Sequence, residues 1–337
     1  MLHGHSTDAV VGVHSKPVQW KIFEMLEAGQ AASTPLRILS LDGGGAKGFY
    51  TLGVLKEIEA MVGGELHKKF DLVFGTSTGA IIAALIALGH SIDSILDMYR
   101  KHVPTVMSQK SASAKSAALE KLAGEIFEHA TFSHVKTGLG IVTAKWMTER
   151  PMIFKGSAVQ AHGRKSTFVP GFGVSIADAV KASCSAYPFF ERTTVRTSSG
   201  EDIELLDGGY CANNPTLYAI ADAVNALKHE RQNIRVVSIG VGIYPEPKPG
   251  LKMWLAKKYL VSVQLLQKTL EINTQSMDQL RQILFQDVPT IRISDCYTTP
   301  EMATDLLEHD LTKLGILFQR GRESFASREE QLREYLV

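Results

Sequence analysis

Cysteine is scarce in this chain of 337 residues: Cys184, Cys211 and Cys296 are odd in number, far apart and without metal-ligand spacing. A disulfide framework is therefore not expected, and a reducing compartment fits. An excess of charge of one sign is also missing. With 36 Lys and Arg against 35 Asp and Glu, the formal net charge is +1. That leaves no polybasic signature for a nucleic acid polymer or for electrostatic capture by anionic lipid, so any membrane contact has to be local. Long apolar runs are absent too: the most apolar stretch, residues 80–88, is far short of the ~20 residues needed to span a bilayer. Residues 1–8 show no basic segment followed by a long apolar one, the pattern of a secretion signal. Together these absences give the expectation of a soluble, cytoplasmic protein. A chain that is 45% hydrophobic can still bury a core of one large α/β domain, with or without an appendage.

What is present is organised around residues 68–89. A short apolar run at 72–74 reads as a buried strand; Gly75-Thr76-Ser77-Thr78-Gly79 follows, and then an Ala-rich helical run that ends at Gly89. In a strand, sharp turn and helix of this kind, the serine is pushed out on a strained corner while the flanking glycines allow close approach. Its hydroxyl then sits at a helix N-terminus, where partial positive charge favours an alkoxide-like oxygen. Ser77 reads as a nucleophile; the plainer reading is an N-cap.

A second unit of the same shape precedes it. The strand pattern Leu36-Arg37-Ile38-Leu39-Ser40-Leu41 runs into Asp42-Gly43-Gly44-Gly45-Ala46-Lys47-Gly48, after which Phe49, Leu52, Leu55, Ile58 and Met61 repeat at helical spacing. Consecutive glycines can turn their N–H groups into one concavity, and the following helix adds its dipole. A P-loop would need Ser or Thr after the lysine, whereas Lys47 is followed by Gly48. An oxyanion hole needs only two or three aimed donors. A third strand, at 202–206, delivers Asp207 to the bend Gly208-Gly209. Residues 234–241 form a nearly all-apolar strand, as in the middle of a parallel sheet.

Around these units the chain divides into an N-terminal extension, 1–35, with a short helical pattern at Trp20, Phe23 and Leu26; a main unit, 36–245; and a mainly helical region, 246–337, packed on it. The boundary is drawn at Pro245, Pro247 and Pro249, which stiffen the connection. Residues 108–118, rich in Ser, Ala and Lys, read as a mobile loop able to cover a site.

The motifs at 42–48, 75–79 and 207–209, in that order and each at the end of a strand, closely resemble the three signatures of patatin-like phospholipases, over about residues 36–245. The resemblance implies a three-layer α/β/α fold with a mainly parallel central sheet and extra C-terminal helices. It also implies hydrolysis of acyl esters of membrane phospholipids by a Ser-Asp dyad. Carried over, Ser77 is the nucleophile, Asp207 the general base, and the backbone of Gly43, Gly44 and Gly45 the oxyanion hole, with no metal and no cofactor. One departure is Lys47, where many members have arginine; the cation is kept and the bidentate fork is lost.

Within that family the chain is most similar to bacterial effectors of anti-phage defence, on its size and the segment Ser185-Ala186-Tyr187-Pro188-Phe189-Phe190. That similarity implies a cyclic di- or trinucleotide activator and action at the inner face of the membrane. Lys110, Lys115, Arg164 and Lys165 are candidate donors to such an anion, and a homo-oligomer stays open. Two other readings also stand: a Ser-His-Asp hydrolase using His229 or His309, and a non-catalytic binding or storage protein of the same fold. Phe49, Tyr50, Phe189 and Phe190 are candidates either for an acyl channel or for the core.

Overall fold

The computed structural model describes residues 34–162, 165–247 and 257–337. The N-terminal helical pattern, Pro249 of the proline boundary and Arg164 lie outside them. Eight strands form one sheet: β1 Leu36–Leu41, β2 Leu72–Thr76, β3 Gly138–Lys145, β4 Pro151–Lys155, β5 Thr193–Arg196, β6 Asp202–Asp207, β7 Ile234–Ile239 and β8 Thr290–Ile293. The order is β5-β6-β3-β2-β1-β7-β8, with β4 also paired to β3. β3, β2, β1, β7 and β8 run parallel, whereas β4, β5 and β6 add antiparallel pairings.

Alternation along the central strands builds two cores. Leu39 and Leu41 of β1 and Val73 of β2 point into the larger one, and Leu36, Ile38, Leu72 and Phe74 into the other. Because strands buried on both faces cannot alternate with polar residues, they read as continuous apolar runs. Helices α1 Gly48–Val62, α2 Thr78–Leu88, α3 Ile92–Met107, α4 Ala112–Phe127 and α5 Ile176–Ser183 serve the first face. α7 Thr216–Ala221, which follows the short α6 Gly209–Ala212, serves the second. The fold is thus the expected three-layer α/β/α arrangement. Phe49, Tyr50, Phe189 and Phe190 are all buried in the larger core, which favours the core reading over an acyl channel.

Two expectations need correcting. Residues 112–118 are not a loop: Ser111 caps α4 by accepting from the Ala114 N–H at 3.1 Å, and the alanines that follow are strong helix formers. The sheet is also not complete before residue 245, because the β-branched run Thr290–Ile293 adds β8 beside β7. The C-terminal region further holds α8 Lys257–Leu284, α9 Leu311–Ala326 and α10 Glu329–Leu336. α9 lies against α1 so closely that a Cβ on Gly321 would sit 2.0 Å from the Tyr50 carbonyl oxygen.

Candidate active site

The sheet pairing explains how two residues 130 positions apart meet. β2 pairs with β3 only as far as Val142, while β4 holds the opposite edge of β3 from Gly140 to Ala144. β6 therefore takes up the edge that β2 vacates, antiparallel, with Asp207 opposite Thr143. Its C-terminal carboxylate arrives just past the end of β2, where Ser77 stands.

Ser77 has φ 53° and ψ −123°, a left-handed corner rarely adopted by a side-chain-bearing residue. The turn is tight enough that a Cβ on Gly75 would lie 2.2 Å from the Gly79 carbonyl oxygen. Only glycine fits there. The corner is held from outside: the Ser77 N–H donates to Ser183 Oγ at 2.9 Å, and that hydroxyl donates to the Val142 carbonyl at 2.6 Å. The Ser77 hydroxyl lies beside the Asp207 carboxylate. Asp207 accepts from the Gly209 N–H at 2.7 Å. Burial pushes its pKa up to about 6, with these two groups opposing the rise. Next to the pair, burial and the Asp207 charge raise the Cys184 thiol well above its ordinary range, so it stays protonated.

The glycine turn lies against Ser77: a Cβ on Gly43 would sit 3.2 Å from Ser77 Cβ. Of the three expected donors, Gly43 is already engaged, its N–H donating to the Asn213 carbonyl at 2.9 Å. A buried N–H has to be paired, and the segment leaving Asp207 crosses it. The N–H groups of Gly44 and Gly45 have no hydrogen-bond partner among the described residues. Asp42 shapes the turn from below through a bidentate pair with Arg292 of β8, whose Nη1 lies 2.9 Å from Oδ1.

Neither alternative histidine reaches the pair. His229 is half-buried, with Asp71 its charged neighbour, and the ring of exposed His309 lies against the Leu307 carbonyl.

Sequence reasoning missed what covers the site. α8 lies across it: Asn273 Oδ1 accepts from the Asn213 N–H at 2.8 Å, and the Asn213 amide donates to Thr274 Oγ1 at 2.7 Å. Buried Lys47 reaches Glu271 of α8 at 3.6 Å, which gives that cation a place. The cavity left between α8 and the glycine turn is about 40 Å³, lined by Gly43, Gly44, Lys47, Leu270 and Thr274 among others. That is room for a few waters, not for a phospholipid. The polar pair Asn213-Asn214, separated from the Gly-Gly bend by three residues, was the one sequence signal for this contact.

Residues 39–220, which carry the serine corner, the aspartate at the Gly-Gly bend and the glycine turn, match the family Patatin, patatin-like phospholipase. The chain belongs to the patatin-like phospholipases, hydrolases of lipid acyl esters. It is 71% identical over 301 residues to the cUMP-AMP-activated phospholipase of Escherichia coli, across 89% of this chain and 94% of that protein. It is 26% identical over 231 residues to the cGAMP-activated phospholipase of Vibrio cholerae, across 61% of this chain and 62% of that one. Among solved structures, VipD from Legionella pneumophila superposes with a TM-score of 0.44 at 15% identity, over 92% of this chain and 69% of that chain.

Proposed function

We propose that Ser77 and Asp207 perform acyl-ester hydrolysis on bilayer phospholipid, and that a cyclic oligonucleotide switches the enzyme on. The observation that carries the chemistry is the buried Asp207 carboxylate, raised to about 6, beside a serine on a strained corner. A base with that pKa is ionised at neutral pH yet basic enough to take a proton. Ser77 Oγ attacks the ester carbonyl carbon as its proton passes to Asp207. The oxyanion is held by the Gly44 and Gly45 N–H groups at the dipole-bearing end of the turn. As the tetrahedral adduct collapses, Asp207 returns the proton to the departing lysophospholipid oxygen. Water then attacks the acyl-serine with Asp207 again as base, releasing the fatty acid.

Activation rests on the two relatives that are named for it and on the closed cleft. No helix among the described residues is long and apolar enough to cross a membrane. The substrate is therefore approached at a bilayer surface, which we place at the inner leaflet. α8 has to leave the glycine turn before a lipid can enter. A ligand can shift α8 only by binding the open form better than the closed one; a hundredfold activation needs ~2.7 kcal/mol of preference.

The test is fatty acid release from phosphatidylethanolamine–phosphatidylglycerol vesicles, with and without a panel of cyclic di- and trinucleotides. Release that depends on one of them, and is lost in Ser77→Ala, is the expected result. Unstimulated full activity would remove the switch, loss in His229→Ala or His309→Ala would remove the dyad, and no hydrolysis under any condition would leave a binding protein.

A further inference from the structure

A second cavity, of about 750 Å³, shares no residue with the cleft at the glycine turn. It lies beside β4, between residues 160–162 and 167–172, the β5–β6 hairpin and α7. Its size is that of a small-molecule site, and such sites pair apolar walls with a few placed polar groups. We propose that this cavity is the cyclic dinucleotide site, an inference that rests on the activated-phospholipase reading above.

The wall chemistry suits that ligand class. A cyclic dinucleotide presents two phosphates and two flat bases, so it needs cations, aromatic faces and amide or hydroxyl groups. Lys145, at the end of β3, is half-buried on the cavity wall, and its ammonium has no acidic partner among the described residues. Phe168, Phe172 and Tyr218 supply ring faces, and Phe172 is 41% exposed. Gln160 is fully buried on the same wall; its Nε2 donates to Asp222 at 3.1 Å, while its Oε1 has no partner among the described residues. Asp222 is itself a buried carboxylate, held by Lys155 at 2.5 Å and by the His162 ring at 2.6 Å. An aliphatic chain would leave Gln160 Oε1 and the Lys145 ammonium with neither water nor a partner among the described residues, at a desolvation cost.

The cavity also has a route to the cleft. One run of sixteen residues, 207–222, carries Asp207, then Asn213 latched to Asn273 and Thr274, then Tyr218 in the cavity wall, and ends at Asp222, which is bonded to the wall residues Lys155, Gln160 and His162. Asp222 opens a π-turn, Asp222–Ala226, a distortion that recurs at functional sites. Ile203, on the strand that ends at Asp207, lines the cavity as well. A ligand that shifts Tyr218 or rearranges the Asp222 cluster moves the segment that holds α8 shut. Of the earlier donor candidates, the ammonium of Lys115 is used by the Gln109 carbonyl, and the side chains of Arg164 and Lys165 lie outside the described residues.

The test uses the full chain and cUMP-AMP as the first probe, followed by the rest of a cyclic dinucleotide panel. Lys145→Glu and Tyr218→Ala are each compared with wild type by calorimetry, by nucleotide-dependent vesicle hydrolysis and by basal cleavage of p-nitrophenyl butyrate. Lys145→Glu should weaken nucleotide binding at least tenfold and shift the activation curve equally, with basal ester cleavage unchanged. Lys110→Glu should do neither. If Tyr218→Ala does not fold, Lys145→Glu decides alone. Wild type activated by nucleotide, with both variants equally responsive, would overturn this site and leave the switch intact. Wild type binding no cyclic dinucleotide would overturn both. A Lys145→Glu variant with altered KM for long-chain lipid and unchanged nucleotide affinity would make the cavity an acyl-chain pocket and overturn the assignment.

Discussion

Asp207→Asn should make this protein inactive and more stable at the same time. In the folded chain the Asp207 pKa moves from 3.8 to about 6, with burial the dominant cause. A rise of roughly two units is ~3 kcal/mol of disfavoured ionisation. Because the folded pKa is raised, the folded state holds a proton that the unfolded state has released between these two values. This contribution to stability is fully present below pH 3.8 and is lost as pH rises through about 6. Asparagine carries no charge at any pH and can still accept from the Gly209 N–H through its Oδ1. After allowing ~1 kcal/mol for the weaker hydrogen bonds, the variant should be ~2 kcal/mol more stable at pH 7.5. Urea unfolding of both proteins, followed by tryptophan fluorescence from pH 4 to 8, measures the difference. Every other carboxylate titrates in both proteins, so the gap isolates Asp207: widest above pH 6, closing toward pH 4. A variant no more stable at pH 7.5, or a gap that does not change with pH, would refute the reasoning. In the wild type, kcat/KM for ester should fall as pH drops below about 6, as the base takes up its proton.

Ser77→Ala should abolish hydrolysis, with a thermal midpoint within a few degrees of wild type, because the corner is held by backbone and Ser183 rather than by the hydroxyl; residual turnover above one part in ~10³ would exclude Ser77 as nucleophile. Asn273→Ala removes the acceptor for the Asn213 N–H and should raise nucleotide-independent vesicle hydrolysis five- to thirtyfold, which is roughly 1–2 kcal/mol of closure; unchanged basal activity would mean that α8 does not gate the cleft. Gly321→Ala places a Cβ 2.0 Å from the Tyr50 carbonyl and should cost ~2 kcal/mol or more by forcing α9 off α1, visible as a lower melting temperature.

The parts of the site that could be read from sequence are those made by neighbouring residues. A strand, a glycine-flanked corner and a helix are local, so Ser77, Asp207 and the glycine turn carry their geometry in a few positions each. The two-faced burial of β1 and β2 was legible for the same reason, as unbroken apolar runs. What escaped depends on contacts far apart in the chain. Gly43 loses its free N–H to Asn213, 170 residues away, and Asn213 is latched by Asn273, another 60 on. No local pattern marks α8 as the cover, since its polar inner residues look like any solvated helix face. Residues 112–118 failed differently: a Ser/Ala/Lys run has loop composition and helix propensity together, and the cap at Ser111 decided it.

In the proposed switch, the place of β8 sets how long an open state can outlast its trigger. Only five residues, 285–289, separate the end of α8 at Leu284 from β8, whose backbone is locked to β7 and whose Arg292 grips the glycine turn. The cover is therefore moored at one end to the scaffold it shields. However far it lifts, it stays at an effective concentration in the millimolar range, and return is a first-order event that dilution cannot slow. Under the switch proposed above, lipid hydrolysis then follows ligand occupancy moment by moment and stops when the ligand leaves, as it could not if the cover were cut away.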